Sequence, residues 1–174
     1  LPVQSGSSRI LRRMNRGYSR EYYQDLVRRI RGMTPEISLT TDIIVGFPGE
    51  TEEDFAATLS LVEETQFDSA FTFIYSPREG TPATRLPEQI PEEIKKKRIY
   101  KLIELQNSIS AKKMQKLLGT QQEILIEGRS REGLVGRTRT NRLVHLDGPL
   151  DLVGSLLKVE ITEASTWSLR GRIC

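Results

Sequence analysis

Apolar residues fall at helical spacing in the first third of the chain. Tyr22, Tyr23, Leu26, Val27 and Ile30 share one face of a helix that Ser19 caps and that runs to about Gly32. Ser7 or Ser8 can cap a shorter helix before it, to about Met14. The pattern then becomes β-branched and nearly continuous, from Ile37 to Gly46, as expected of a strand buried on both faces. Phe47-Pro48-Gly49-Glu50 is a turn, and Thr51 with Asp54 opens a helix carrying Phe55, Leu59 and Val62. Phe67 to Tyr75 reads as a second buried strand. Residues 76–91 form a long loop with four prolines, and a helix runs from Pro91 to about Leu118, with Gly119 as its stop.

After Gly119 the period shortens. Five alternating segments, 121–127, 134–139, 142–146, 156–162 and 167–173, are separated by turns at Arg131-Glu132-Gly133, Asp147-Gly148-Pro149 and Val153-Gly154. Five strands in so few residues predict a small OB-like barrel. The expected architecture is α/β followed by all-β, with an incomplete (βα) barrel half in residues 1–118 and a five-stranded barrel in residues 119–174. Two buried parallel strands and a stub at Leu1 to Gln4 do not close a sheet. Together with a start at Leu1, this leads to the expectation that an N-terminal half precedes these residues.

Composition narrows the function. The 174 residues are 37% hydrophobic and 28% charged, typical of a globular chain that buries its own core. Cys174 is the single cysteine and His145 the single histidine, which excludes a disulfide framework and a self-contained zinc or iron–sulfur site. No apolar run suits a membrane span, so the expected location is the cytoplasm, with no membrane partner. The net charge of +3 conceals segregation: residues 1–31 hold eight arginines against Glu21 and Asp25, whereas residues 32–91 hold two arginines against eleven acids. Residues 92–117 are basic again, and 129–142 holds five arginines and one glutamate. Such blocks fit a nucleic-acid surface, and they also fit solvated helix faces.

Polar residues gather at three successive strand ends: LPVQSGS ends the stub, TTDIIVGFPGET ends the next strand, and YSPREGTPA follows the third. In parallel α/β architectures chemistry collects at carboxyl ends of strands, and glycine there lets backbone approach a ligand. Three in order carry more weight than one βα turn.

These stretches, with RMNRGYSREYY between them, resemble the second half of the radical S-adenosylmethionine domain of the methylthiotransferases. The segment from Gly119 resembles the TRAM domain that follows it in that family, and GRTRTNRLVHL most resembles the branch that modifies tRNA. The resemblance implies S-adenosylmethionine as cofactor. It places Gln4, with Ser5 beside it, and Asp42 against the ribose, Arg16 on the methionine carboxylate, and backbone at Gly46 and Phe47 near the adenine. Amide and carboxylate groups suit ribose hydroxyls, and a guanidinium pairs a carboxylate in a fork. The implied reaction is methylthiolation of carbon 2 of N6-isopentenyladenosine beside the anticodon.

The family holds two 4Fe-4S clusters on cysteines that these residues do not include, so the chain by itself is expected to be inactive, with no catalytic or metal-ligating residue of its own. For RNA, the expected surface is Arg137, Arg139, Thr140, Asn141 and Arg142, extended by Arg129 and Arg131, gripping a tRNA anticodon stem–loop through its backbone. The same charges also suit a protected edge strand. Two rival functions stand beside this one. The first is a sister methylthiotransferase acting on threonylcarbamoyladenosine or on a ribosomal-protein aspartate. The second is a non-catalytic RNA-binding protein.

Overall fold

In the computed structural model, which describes residues 1–131 and 133–174, the Ser7 side chain accepts the Ile10 N–H and starts α1 (Ser8–Arg13). Ser19 accepts the Tyr22 N–H in the same way to start α2 (Arg20–Met33), which buries Tyr23 and Val27 one turn apart. Thr51 and Asp54 exchange hydrogen bonds in a capping box at the head of α3 (Glu52–Thr65). The long fourth helix, α4, spans Glu92–Gln115.

Two parallel strands, β1 (Thr40–Val45) and β2 (Ser69–Ile74), pair in register from Thr40 opposite Ser69 to Val45 opposite Ile74. On the other edge of β1, Gln4 forms a parallel bridge with Ile43, donating to the Asp42 carbonyl and accepting from the Ile44 N–H. Thr41, Ile43 and Val45 are buried, and the core on this face joins Ile43 and Val45 to Tyr23, Val27, Phe55, Leu61, Val62 and Leu102 from the helices. The other face is open, which corrects the expectation of strands buried on both sides. Asp42 and Ile44 are only half-buried, and Phe71 and Phe73 are 63% and 51% exposed. An apolar run fits a two-sided strand, but helices cover one face alone.

The second unit is a closed barrel of β3 (Gln121–Ser130), β4 (Gly133–Thr138), β5 (Leu143–Leu146), β6 (Leu156–Ala164) and β7 (Leu169–Ile173). Its strand order is β3-β4-β5-β7-β6, with β5 and β7 parallel and the other pairs antiparallel. This is the OB-like arrangement read from the alternating pattern. Ile124, Ile126, Leu134, Val144, Leu146, Val159, Ile161 and Leu169 fill the interior. Register shifts at Ile126/Gly128 and Ile161/Glu163 bend the two long strands so that the sheet closes. Gly136 permits the closure, since a Cβ there would lie 2.4 Å from the Leu125 carbonyl oxygen. Of the turn read at Arg131-Glu132-Gly133, Glu132 lies outside the described residues.

The compact units are Leu1–Ile109 and Ser110–Cys174, which meet within α4. The last turn of that helix supplies Met114, and Leu117 follows it, to the barrel core.

Candidate cofactor wall and nucleic-acid interface

Gln4 and Asp42 stand side by side on neighbouring backbone segments, joined by a 2.8 Å hydrogen bond from the Gln4 N–H to the Asp42 carbonyl. Gln4 has a left-handed backbone, φ 68°, uncommon for a residue with a Cβ and found where surrounding structure holds it. The Asp42 carboxylate is half-buried and accepts no hydrogen bond among the described residues, and the Gln4 amide likewise has no partner there. Asp42 sits opposite Phe71 in register, on the open face of the sheet. A half-buried carboxylate without a protein partner can accept hydrogen bonds from hydroxyl donors of a ligand.

The loop after β1 is braced from beneath. Gly46 adopts φ 73°, and a Cβ there would lie 2.4 Å from Lys95 Cγ. Its N–H donates to Glu50 Oε1 at 3.1 Å, so that donor is already used, whereas the Phe47 carbonyl accepts from the Glu50 N–H. Glu50 is buried against Arg98 at 2.8 Å, and Arg98 also reaches Glu52. Burial pushes the Glu50 carboxyl above its ordinary range in spite of Arg98 and the Gly46 N–H. Lys95 donates to Glu92 at 2.7 Å and to the Tyr75 carbonyl at 3.4 Å, and Phe47 packs edge-on to Tyr75 with ring centroids 5.2 Å apart. The ends of β1 and β2 are thereby tied together.

Ser5 faces the other way. It is buried, its hydroxyl accepts the Ser7 N–H, and it lies 3.5 Å from the Thr58 hydroxyl of α3. The structure thus gives Ser5 a place in the packing of the stub on α3. Asp54 anchors the same region, accepting from Ser7 Oγ at 2.6 Å, from the Thr51 N–H and hydroxyl, and from the Arg9 guanidinium. Burial works against its charge, yet the bonds from Arg9, Ser7 and Thr51 outweigh it and hold the carboxyl well below the usual carboxylate range. Arg16 follows α1, exposed, with no side-chain partner among the described residues and no contact joining it to Gln4 or Asp42.

The seven expected RNA residues separate into two groups at opposite ends of β4. Arg129 and Arg131 adjoin its start and are exposed. Arg137, Arg139, Thr140, Asn141 and Arg142 lie at its end and in the following turn. Arg137 is tethered to Glu127 at 3.2 Å and donates to the Asn141 carbonyl. Arg139 pairs with Glu123 at 2.5 Å but remains 80% exposed. Thr140 bonds the Thr138 hydroxyl at 3.0 Å, Asn141 takes the left-handed turn position at φ 62°, and Arg142 contacts the Met114 sulfur. A shallow depression between these arginines is floored by Leu125 and Leu156. Sequence reading missed Lys95 and Arg98, hidden in the run KKKR. Lys95 lies three residues after Glu92 and Arg98 three after Lys95, which puts them on one side of the helix without showing that this side is buried.

The Radical SAM superfamily model matches residues 1–62, and the TRAM domain model matches residues 115–174. The chain is 56% identical, over 98% of its length, to the tRNA-2-methylthio-N(6)-dimethylallyladenosine synthase of Carboxydothermus hydrogenoformans, and covers 40% of that protein. The synthase of the same name from Oceanobacillus iheyensis is also 56% identical over 98% of the chain, which covers 34% of it. That of Moorella thermoacetica is 55% identical over 99%, with 40% covered. The chain therefore spans between a third and two fifths of the length of these relatives.

Proposed function

We infer, from the premise that this chain joins radical SAM sequence to a TRAM domain and belongs with the methylthiotransferases it matches, that it is the part of such an enzyme that borders the cofactor and grips tRNA. The substrate is N6-dimethylallyladenosine (isopentenyladenosine) beside the anticodon, and the reaction installs a methylthio group at its carbon 2, in the cytoplasm. The observation that carries the reading is the unpartnered Asp42 carboxylate beside Gln4, within β1 and on the open face of the sheet.

Bound S-adenosylmethionine supplies the methyl group and the radical chemistry. Asp42 and Gln4 take its ribose hydroxyls, and Arg16 takes its carboxylate. At the adenine, the Phe47 N–H and Gly46 carbonyl do the work, because the Gly46 N–H already serves Glu50. Cys174 alone does not ligate a cluster that needs several thiolates, so the ligands of both 4Fe-4S clusters belong to an N-terminal half of the enzyme, and the chain by itself is inactive.

The RNA part is tested by titrating the chain with an isopentenylated anticodon stem–loop at several salt concentrations, beside an Arg137/Arg139/Arg142→Ala triple variant. Expected is binding that weakens with salt, with at least a tenfold loss in the variant and a log–log slope shallower by up to about 2.7, since each phosphate contact contributes roughly 0.9. Equal affinity and slope in both proteins would remove the grip from the 137–142 turn and favour a protein substrate.

A further inference from the structure

We propose that the barrel also carries a stacking site for one unpaired RNA nucleotide, built on Trp167 in the turn between β6 and β7 and on the neighbouring depression beside His145 and Arg170. The proposal rests on the reading that this module binds tRNA and adds a base contact to a grip so far made only of backbone contacts.

The strand order β3-β4-β5-β7-β6 is the order of a five-stranded OB barrel. Such barrels take oligonucleotides on the face of their second and third strands, between the first and fourth connecting loops. In this chain those are β4 and β5, the connection after Ser130, and the turn 165–168. His145 of β5 lies beside Arg170 of β7 in register, and the hydroxyl of Ser130, the last residue of β3, is 3.5 Å from His145 Nδ1. Arg129 and Arg131 flank Ser130 in sequence, and both are exposed. They are the two arginines separated from the 137–142 turn, and here they have a location that uses them.

Trp167 is 67% exposed and makes no ring contact among the described residues. Its backbone is nevertheless fixed. Ser165 Oγ accepts the Trp167 N–H at 3.3 Å and the Ser168 N–H at 3.0 Å, while the Ser165 N–H donates to the Ser168 carbonyl at 2.9 Å. An uncovered indole on a held backbone does nothing for the core and offers a face to a base. The adjoining depression, about 290 Å³, is lined by His145, Glu163, Ser165, Ser168 and Arg170 among others. Its size suits a single base. Glu163 is an acceptor suited to an exocyclic amino group, and the exposed Arg129 and Arg131 suit phosphate.

Trp167 is the single tryptophan, so its fluorescence reports the site directly. The chain is titrated with an anticodon stem–loop RNA and with a fully paired RNA of equal length. The expected result is quenching by the stem–loop but far less by the duplex, about tenfold weaker stem–loop binding for Trp167→Ala, and near-complete retention for Trp167→Phe. The salt slope of Trp167→Ala stays that of the wild type, in contrast to the arginine triple variant. Stem–loop binding without quenching, or equal affinity in Trp167→Ala, overturns the stacking site and leaves the arginine grip standing. No stem–loop binding by the wild-type chain overturns both.

Discussion

Replacing Asp42 with asparagine is expected to weaken S-adenosylmethionine binding about a hundredfold while the melting temperature stays within a few degrees of the parent. The binding host is a chimaera in which this chain replaces the matching segment of the Carboxydothermus hydrogenoformans relative, measured by equilibrium dialysis. The two halves of the expectation have separate causes. The carboxylate accepts no hydrogen bond among the described residues, so neutralising it breaks no protein contact. Substitutions of that kind usually change stability by less than about 0.5 kcal/mol. Hydrogen bonds from ribose hydroxyls to a carboxylate, in contrast, contribute roughly 1.5–3 kcal/mol each, and about 3 kcal/mol is two decades of affinity. Unchanged affinity in a folded Asp42→Asn chimaera would remove this residue from the cofactor wall.

Asp54→Asn is expected to act in the opposite sense, on stability and not on the ligand. The side chain is 9% exposed and receives bonds from Ser7, Thr51 and Arg9, tying α1 to the cap of α3. Losing the charge and one acceptor from that set costs about 3 kcal/mol near neutral pH. The pH dependence follows from the direction of the shift. A carboxyl held below its ordinary value stabilises the fold fully above the unfolded value, near 3.9, and loses that contribution as pH falls toward the folded value. The gap between parent and variant in urea unfolding should therefore be constant from about pH 5 to 8 and shrink below about pH 4. Glu50 has the reverse sign: raised by burial, it stabilises most below about pH 4.3 and loses that contribution as pH rises through its folded value. A gap that widens on acidification would contradict the assignment to Asp54.

Much of this was legible because local signals agreed with one another. Ser19, Thr51 and Asp54 marked the heads of α2 and α3, and alternation after Gly119 gave the five strands of the barrel. The run 67–75 misled, since Phe71 and Phe73 look like core until the open side of the sheet is seen. Charge runs misled in a related way. Lys95 and Arg98 belong to a basic stretch, yet both are buried, Lys95 paired with Glu92 and Arg98 with Glu50 of the 46–50 loop, and spacing alone does not show which lysine turns inward. Ser5 and Asp42 illustrate the limit at the site. Both are polar residues in or beside the sheet, but Ser5 turns to Thr58 while Asp42 turns to the open face, a difference set by packing against α3. The arginines were read as one patch because they are near in sequence, whereas β4 separates them.

The most direct test is the nucleoside content of tRNA. The same chimaera is expressed in cells that lack their own synthase, and digested tRNA is analysed by mass spectrometry. The account predicts that 2-methylthio-N6-isopentenyladenosine appears, and that Asp42→Asn returns it to background. Isopentenyladenosine remaining wholly unmodified, in cells that accumulate a folded and cluster-loaded chimaera, would contradict it.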